Sequence, residues 1–255
     1  MRFGIGWRPE LGAAILSNLD RIDAVELLAE DHAHASKDEQ RALRFLRRNV
    51  SITVHGTSLG LASTEPVSRA RLDAIARVVE WTEAESWSEH LAFVRAGGME
   101  IGHLAAPPRN DETLEGLVRN VEAARRVIGT APLLENVATL LDPPFSTYDE
   151  IGWIEAVARA TGCAILLDLH NLHANATNFG FEPRIPGAPI GAIHIAGGKR
   201  IEGQRILDDH LHAVPDAVFS MLPHVTADLL ILERDGRYPP FAELLGELDR
   251  ARAAA

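Results

Sequence analysis

Short apolar runs alternate with longer amphipathic stretches along the chain. Residues 68–85, 111–129 and 148–162 carry apolar side chains at helical spacing, and Gly162 stands where a helix C-terminal cap is expected. The short apolar runs predict strands over residues 3–7, 24–28, 51–55, 87–91, 132–136, 164–169, 191–196 and 229–234. Strands that alternate with helices predict right-handed βαβ units and a parallel sheet.

The number of these units predicts the fold class. Eight βα units in 255 residues are typical of an α/β protein that forms one (β/α)8 TIM barrel. No Ser/Gly-rich linker or low-complexity segment interrupts the chain, so we expect a single catalytic domain over residues 1–250. The Ala- and Arg-rich end, residues 251–255, is expected to fray.

Polar side chains cluster where the predicted strands end. "LLDLHNLHANATN" (166–178) is an apolar run that passes into Asp168, His170, Asn171 and His173, which are costly to desolvate unless something binds them. The carboxyl ends of barrel strands converge at one face, and catalytic residues lie there. The other residues of this kind are His55, Glu89, His90, Glu135, Asn136, His194, Asp208, His210, Glu233 and Asp235.

Each of these residues alone could be an ordinary hydrogen-bonded side chain, and Asp208 could cap a helix. Six βα junctions, however, offer His or carboxylate side chains at the same end of the predicted barrel. This pattern favours bound cations, because carboxylates that converge without them would repel one another. The number of donors exceeds the needs of one ion. The sequence therefore predicts a di- or trinuclear centre with Glu135 as a bridge.

Composition restricts the metal and the partners. Cys163 is the single cysteine, so the ligands would be His, Asp, Glu and Asn, which suit Fe, Mn, Zn or Mg. A net charge of −11 disfavours nucleic acid, and the basic run 41–49 is expected to be a solvated helix face. No apolar run is long enough for a membrane span, and "RFGIGWR" lacks the apolar region of a signal peptide. A cytoplasmic location is expected.

Eight sequence blocks, in order and spacing, resemble the multinuclear non-haem iron-dependent oxidase family, which includes the methanobactin-biosynthesis oxidase. They span Phe3 to about Leu248: "GIGWR", "HGTSLGLAS", "SEHL", "LLENV", "LLDLHNLHANATNFGF", "IHIAGG", "LDDHLHAVPDAV" and "LERDGRYPP". The resemblance implies a xylose isomerase-like TIM barrel with two or three irons, mixed Fe(II)/Fe(III), and O2 as co-substrate. It further implies modification of cysteine residues in a ribosomally made precursor peptide, delivered by a small partner protein.

The resemblance also implies three metal sites. The first consists of His55, His90 and Glu135, the second of Glu135, Asp168, His194 and Glu233, and the third of Asn171, Asp208 and His210. His170 stands where the family typically has Asn, and His173 where it has Tyr, so both are expected to support the site without ligating. Glu89 and Asp235 are expected to support it in the same way.

Other departures leave the substrate open. Glu26-Leu27-Leu28 stands where relatives often have Glu-Val-His, Gly198 where some have His, and Arg234 where Trp is usual. These positions are expected to line or neighbour the cavity.

Two other enzyme classes use the same ligand pattern. A similar set binds three zincs in the endonuclease that cuts DNA at abasic sites, which has His where Asn171 stands and needs basic loops that this chain lacks. A divalent-metal sugar isomerase would need a catalytic Lys, for which Lys199 is the nearby candidate. Iron is favoured over zinc because oxidation by O2 requires a redox-active metal.

Overall fold

The computed structural model describes residues 1–255, and its centre is a closed barrel of eight parallel strands. Around the barrel the strand order is β1-β12-β9-β8-β7-β4-β3-β2. The barrel strands are β1 (Arg2–Gly6), β2 (Ala24–Leu28), β3 (Ser51–Gly56), β4 (Ser86–His90), β7 (Leu133–Glu135), β8 (Ile165–Asp168), β9 (Ile190–Ile195) and β12 (Leu229–Leu232). The predicted fold class, a (β/α)8 TIM barrel, is confirmed.

Two antiparallel pairs lie in βα connections: β5 (Phe93–Ala96) with β6 (Met99–Ala105), and β10 (Lys199–Arg200) with β11 (Ile206–Leu207). The α-helices are α1 (Gly12–Leu16), α2 (Ala29–His32), α3 (Lys37–Leu46), α4 (Arg69–Thr82), α5 (Asp111–Ile128), α6 (Glu150–Thr161), α7 (Leu169–Phe179), α8 (Asp216–Phe219) and α9 (Phe241–Ala254). Short 3-10 helices span Pro9–Leu11, Leu19–Arg21, Glu202–Gln204 and Leu222–His224.

The interior of the barrel changes from apolar to polar along its axis. A small apolar cluster fills the lower interior: Ala24, Leu166, Ala192, Leu229 and Ile231. Side chains two residues apart on a strand point to the same side. The next inward positions above this cluster are therefore Glu26, Asp168, His194 and Glu233, which places them at the carboxyl end.

The lower interior leaves no room for larger side chains. A Cβ on Gly4 would lie 2.5 Å from the carbonyl oxygen of Ala24 and 2.6 Å from the Ile231 side chain. A glycine is therefore required where β1 approaches β2 and β12. The closed lower end directs ligands to the upper, carboxyl end of the barrel.

Strand β8 passes into helix α7 without a loop, whereas the sequence predicted a strand as far as Leu169. Asp168 ends the strand because its Oδ1 accepts a hydrogen bond from the Asn171 backbone N–H, at 2.7 Å, and caps the helix. Asn136 also holds this junction: its side chain accepts from the Asp168 N–H and donates to the Asp168 carbonyl. The polar segment 168–171 is therefore fixed by neighbouring backbone.

The C-terminal end and the basic run are both helical. Helix α9 runs to Ala254 with Ala251 buried in the core, so residues 251–254 are helical where a frayed end was expected. Helix α6 ends at Gly162 in a left-handed conformation, as predicted. In the basic run 41–49, Leu43 and Leu46 are buried while the arginines face solvent, as expected for a solvated helix face. No helix combines the length and apolar character that a bilayer span requires.

Candidate metal centre

The first cluster lies between β3, β4 and β7. Strand pairing places His90 beside Glu135 and His55 beside Ser88. His55 Nε2 and His90 Nε2 each lie 3.2 Å from Glu135 Oε2, which has no hydrogen-bond partner. These two imidazole nitrogens thus lie close to the carboxylate oxygen, but neither forms a hydrogen bond with it.

Both imidazole rings of this cluster are held in place through Nδ1, the nitrogen that does not face Glu135. His90 Nδ1 donates to the Gly56 carbonyl at 3.1 Å, and His55 Nδ1 lies 2.7 Å from Ser88 Oγ. Metal-bound histidines in proteins are held in this way, with one nitrogen bonded to protein and the other directed at the ion. The first cluster therefore has the orientation that ligation requires.

The second cluster surrounds His194. Its Nδ1 lies 3.1 Å from Glu135 Oε1 and 3.0 Å from Glu233 Oε2, and its Nε2 lies 2.9 Å from Glu26 Oε1. Asp168, paired with His194 across β8 and β9, is fully buried and leaves Oδ2 without a partner. Because Glu135 directs one oxygen to each cluster, the first and second clusters share it.

The third cluster is formed by the polar segment after β8 and the loop after β11. Asp208 Oδ1 lies 2.9 Å from both His170 Nδ1 and His210 Nε2. His210 Nδ1 lies 3.1 Å from Asp235 Oδ2, and Arg8 donates two hydrogen bonds to Asp235. His210 has a φ of 52°, a left-handed conformation that costs free energy at a residue with a side chain and is found at functional sites.

Unpartnered buried atoms are concentrated in these clusters. Seven buried side-chain nitrogen or oxygen atoms lack a hydrogen-bond partner, and all but two (Glu30 Oε2 and Arg234 Nε) belong here. The five are Glu135 Oε2, Asp168 Oδ2, Asn171 Oδ1, His194 Nε2 and His210 Nε2. Such atoms are rare in folded proteins and call for an explanation such as an ion. The His and carboxylate donor set fits a centre of two or three divalent metals.

Charges within the centre shift the pKa values of its members. Burial opposes the charged form of His90, but attraction by Glu135 and Glu89 outweighs it and raises the pKa of His90 to about 9. Carboxylates raise the pKa of His194 and of His210 well above the usual value in the same way. Burial, with repulsion from Glu135 and Asp208, raises the pKa of Asp168 to about 7. The metal-free centre therefore holds extra protons, which metal ions would displace.

These raised pKa values predict a loss of stability of the metal-free protein at alkaline pH. A folded-state pKa above the unfolded value stabilises the fold at low pH, and that contribution disappears as pH rises through the folded pKa. The raised pKa values of His90, His194 and His210 therefore all lower the stability of the metal-free protein as the pH rises above 7. We expect the melting temperature of chelator-treated protein to be at least ~5 °C lower at pH 9 than at pH 7.

Differential scanning fluorimetry of metal-free and metal-loaded protein would measure this effect. The loaded protein should depend less on pH, because its histidines have already lost the displaced protons. An unchanged or higher melting temperature of the metal-free protein at pH 9 would contradict the expected charge states.

The remaining sequence-predicted residues lie beside the clusters. Glu89 is buried and accepts hydrogen bonds from the Leu59 and His90 backbone N–H groups, so it holds the strand β4 end and the loop after β3. His173 is half-buried, one turn along α7 from His170, and burial lowers its pKa. Lys199 is exposed on β10.

Sequence reasoning did not assign a role to four residues that hold the site. Glu26 contacts His194 Nε2, Ser88 bonds to His55, Asn136 holds the β8–α7 junction, and Arg8 holds Asp235. The signal for Glu26 was its position two residues after the inward-facing Ala24. Asn136 was recognised only as a polar residue at a strand end, and Ser88 and Arg8 carried no local signal.

An open cavity of about 240 Å³ leads to the first and third clusters. Its lining is mostly polar and acidic, with four carboxylates and one cation. The cation is Arg8, which is already paired with Asp235. The residues that line the cavity are Arg8, Leu28, His55, Thr57, His90, Leu104, Asp208, Asp209, His210, Glu233 and Asp235.

Known structures with similar folds share the barrel architecture. The chain superposes on a D-psicose 3-epimerase from Clostridium cellulolyticum H10 with a TM-score of 0.62 and 14% identity, covering 100% of this chain and 96% of that one. It also superposes on a xylose isomerase domain protein from Planctomyces limnophilus with a TM-score of 0.55 and 16% identity, covering 99% and 96%. At this identity the likeness shows the TIM-barrel fold alone.

Sequence relatives and a family model match along the chain. A UPF0276 protein of Streptomyces avermitilis is 35% identical over 98% of this chain, which spans about half (54%) of that relative's length. A UPF0276 protein of Bordetella bronchiseptica is 33% identical over 99% of this chain and 92% of its own length. The model for the RiPP precursor modification enzymes MbnB/TglH/ChrH matches residues 2–255. The chain therefore belongs to the MbnB/TglH/ChrH family of enzymes that modify precursors of ribosomally synthesised and post-translationally modified peptides.

Proposed function

We propose that the chain is a multinuclear non-haem iron oxidase that uses O2 to modify cysteine residues of a ribosomally synthesised precursor peptide. The observation that carries this proposal is the set of three adjoining clusters, two of which share Glu135. The proposed ligands are His55, His90, Glu135, Asp168, Asn171, His194, Asp208, His210 and Glu233. Iron held by these residues would supply the one-electron redox chemistry that reaction with O2 requires.

The residues of the chain contribute binding and orientation. Ser88 and the Gly56 carbonyl fix the rings of His55 and His90. Arg8 fixes His210 through Asp235. Such supporting contacts set the direction and basicity of histidine ligands. They also keep the centre rigid while a substrate enters.

The reacting thiol is supplied by the substrate in this proposal. Cys163 is buried at the start of β8, at the opposite end of the strand from Asp168, and accepts a hydrogen bond from Arg125. The cavity has room for a few side chains, so a cysteine and its neighbours would enter while the rest of the peptide lies across the mouth.

Exposed apolar side chains mark the face on which the peptide or a small partner protein would dock. Met99, Leu141 and Phe145 are 72%, 78% and 86% exposed. Met99 lies in the β5–β6 hairpin and the other two lie between β7 and α6, so all three belong to βα loops at the carboxyl end of neighbouring strands. Exposed apolar side chains that form one contiguous patch are typical of protein–protein interaction sites.

The two alternative functions have less support. An abasic-site endonuclease needs a basic groove for phosphates, but the mouth is acidic and its single cation is paired. A sugar isomerase needs a lysine at the site, and Lys199 is exposed on β10, outside the lining of the cavity.

Metal analysis of protein purified without oxygen and without chelator tests the proposal. We expect two to three irons per chain by mass spectrometry, coupled ferric–ferrous signals in Mössbauer or EPR spectra, and O2 consumption with a cysteine-containing precursor peptide. Stoichiometric zinc with little iron after anaerobic loading with Fe(II), and no O2 consumption, would exclude the oxidase and favour a hydrolytic enzyme.

A further inference from the structure

We infer that His170 is itself a metal ligand, so that the third cluster binds its ion through two imidazoles and Asp208. This inference rests on the metal centre of the proposed function, and it differs from the supporting role that the sequence resemblance implied for His170. The third site would then differ from the ligand set that the resemblance implied.

The position of His170 is the first support. It is the second residue of α7, is buried, and directs Nδ1 to within 2.9 Å of Asp208 Oδ1. His210 Nε2 approaches the same oxygen at the same distance from another side. The donor atoms of His170, Asp208 and His210 all lie within 4.8 Å of one another, which is the spacing of ligands around one ion.

Unpartnered atoms beside these residues are the second support. His210 Nε2 is buried without a hydrogen bond, although Asp208 is close to it. Asn171 Oδ1, on the residue after His170, is also buried and unpartnered, while its Nδ2 donates to the Asn136 carbonyl. A cation bound by the third cluster would satisfy His210 Nε2.

Gly198 supplies the space for the His170 ring. A Cβ at this position would lie 2.6 Å from His170 Cε1, 2.9 Å from its Nε2 and 2.4 Å from the Leu207 carbonyl oxygen. Any larger residue would therefore displace the imidazole or strand β11. The backbone at Gly198 packs against one edge of the ring and Asp208 lies at the other, so the direction of Nδ1 is fixed.

Two imidazoles alter the metal preference of the third site. Nitrogen donors favour iron, zinc and related transition metals, and a second imidazole strengthens this preference over that of a site with His210 as its one imidazole. We therefore expect this site to retain a transition metal against an excess of Mg²⁺.

Zinc binding to the full chain tests the assignment without reference to oxidase activity. Metal-free protein would be titrated anaerobically with Zn²⁺ alone, as wild type, as His170→Asn, and as His173→Asn, the control on the same helix. We expect three ions in the wild type and in the control, and two in His170→Asn. A histidine that only orients Asp208 would cost about 10–100-fold in affinity and leave the number of ions unchanged.

Crystals of the zinc-loaded wild type give a second measurement. Anomalous diffraction should place a zinc ion at about 2.0–2.1 Å from His170 Nδ1. A third ion that is absent from the wild type, or that lies beyond bonding distance of this nitrogen, would overturn the assignment. So would an unchanged number of ions in His170→Asn.

Gly198→Ala keeps the test valid if His170→Asn does not fold. This variant retains every donor but displaces the His170 ring, or strand β11 and with it Asp208, so we expect the third ion to be lost. The melting temperature of the metal-free protein shows whether the variant still folds. Retention of the third ion would count against His170 as a ligand. If the wild type binds three zincs but no iron under anaerobic loading, the oxidase proposal fails while the His170 assignment stands.

Discussion

Glu135→Gln is expected to remove two metal ions and abolish peptide modification. Glu135 is fully buried and directs Oε2 to His55 and His90 and Oε1 to His194. An amide of the same shape presents one oxygen in place of two and carries no charge. We expect the bound metal to fall from about three ions per chain to about one, because the first cluster loses its only carboxylate and the second cluster loses the carboxylate that it shares with the first.

Metal analysis and a peptide-modification assay would measure this loss, with Glu89→Gln as the matched control. Glu89 is buried next to His90 but bonds to backbone N–H groups, so its substitution should lower stability and leave the number of metals unchanged. Glu135→Gln should also weaken the pH dependence of the metal-free protein, because attraction by Glu135 helps to raise the pKa of His90. Unchanged metal binding in Glu135→Gln would refute the bridging role.

Asp168→Asn and Asp168→Ala are expected to separate the two functions of one side chain. Oδ1 caps α7 and Oδ2 is unpartnered among the clusters. Asparagine is as good a cap as aspartate, but its amide nitrogen cannot bind a metal. We expect Asp168→Asn to fold normally and to lose metal from the second cluster together with peptide modification.

The alanine variant should lose the same metal and also destabilise the metal-free protein by about 1 kcal/mol, because the helix cap disappears. Metal-free Asp168→Asn should be at least as stable as the wild type at pH 7, since burial raises the pKa of Asp168 to about 7 and disfavours its charge. Thermal melts of the metal-free wild type, Asp168→Asn and Asp168→Ala would measure these differences in stability. Equal losses of stability in both variants would show that the charge, not the cap, holds the β8–α7 junction.

Much of the fold could be predicted because its signals are local. Each barrel strand is a short apolar run, and the alternation of such runs with amphipathic helices determines the barrel. The β5–β6 and β10–β11 pairs were not predicted because β6 and β10 have no buried residues, and β5 and β11 are too short to show the alternation of a half-buried strand. The end of β8 was predicted one residue late, because Leu169 is as apolar as the strand before it.

The site could be predicted where residue type and strand position coincide. Asp168, His194 and Glu233 each follow an inward-facing apolar residue by two positions, and they converge in the structure. His170 shows the limit of this reasoning, because its proximity to Asp208 depends on the immediate start of α7 and on the space at Gly198. Contacts between residues so distant in the chain are properties of the tertiary structure.

The dispersal of the site around the barrel has a consequence for folding. Its side chains come from β2, β3, β4, β7, β8, β9 and the segment after β12, and β12 must pair with β1 to close the ring. Such long-range pairings form late, since the chain must first bring distant segments together. Partly folded or truncated chains would therefore hold no complete metal centre. Metal retained through purification would report that the ring has closed, and metal supplied during expression would trap the closed barrel and raise the yield of native protein.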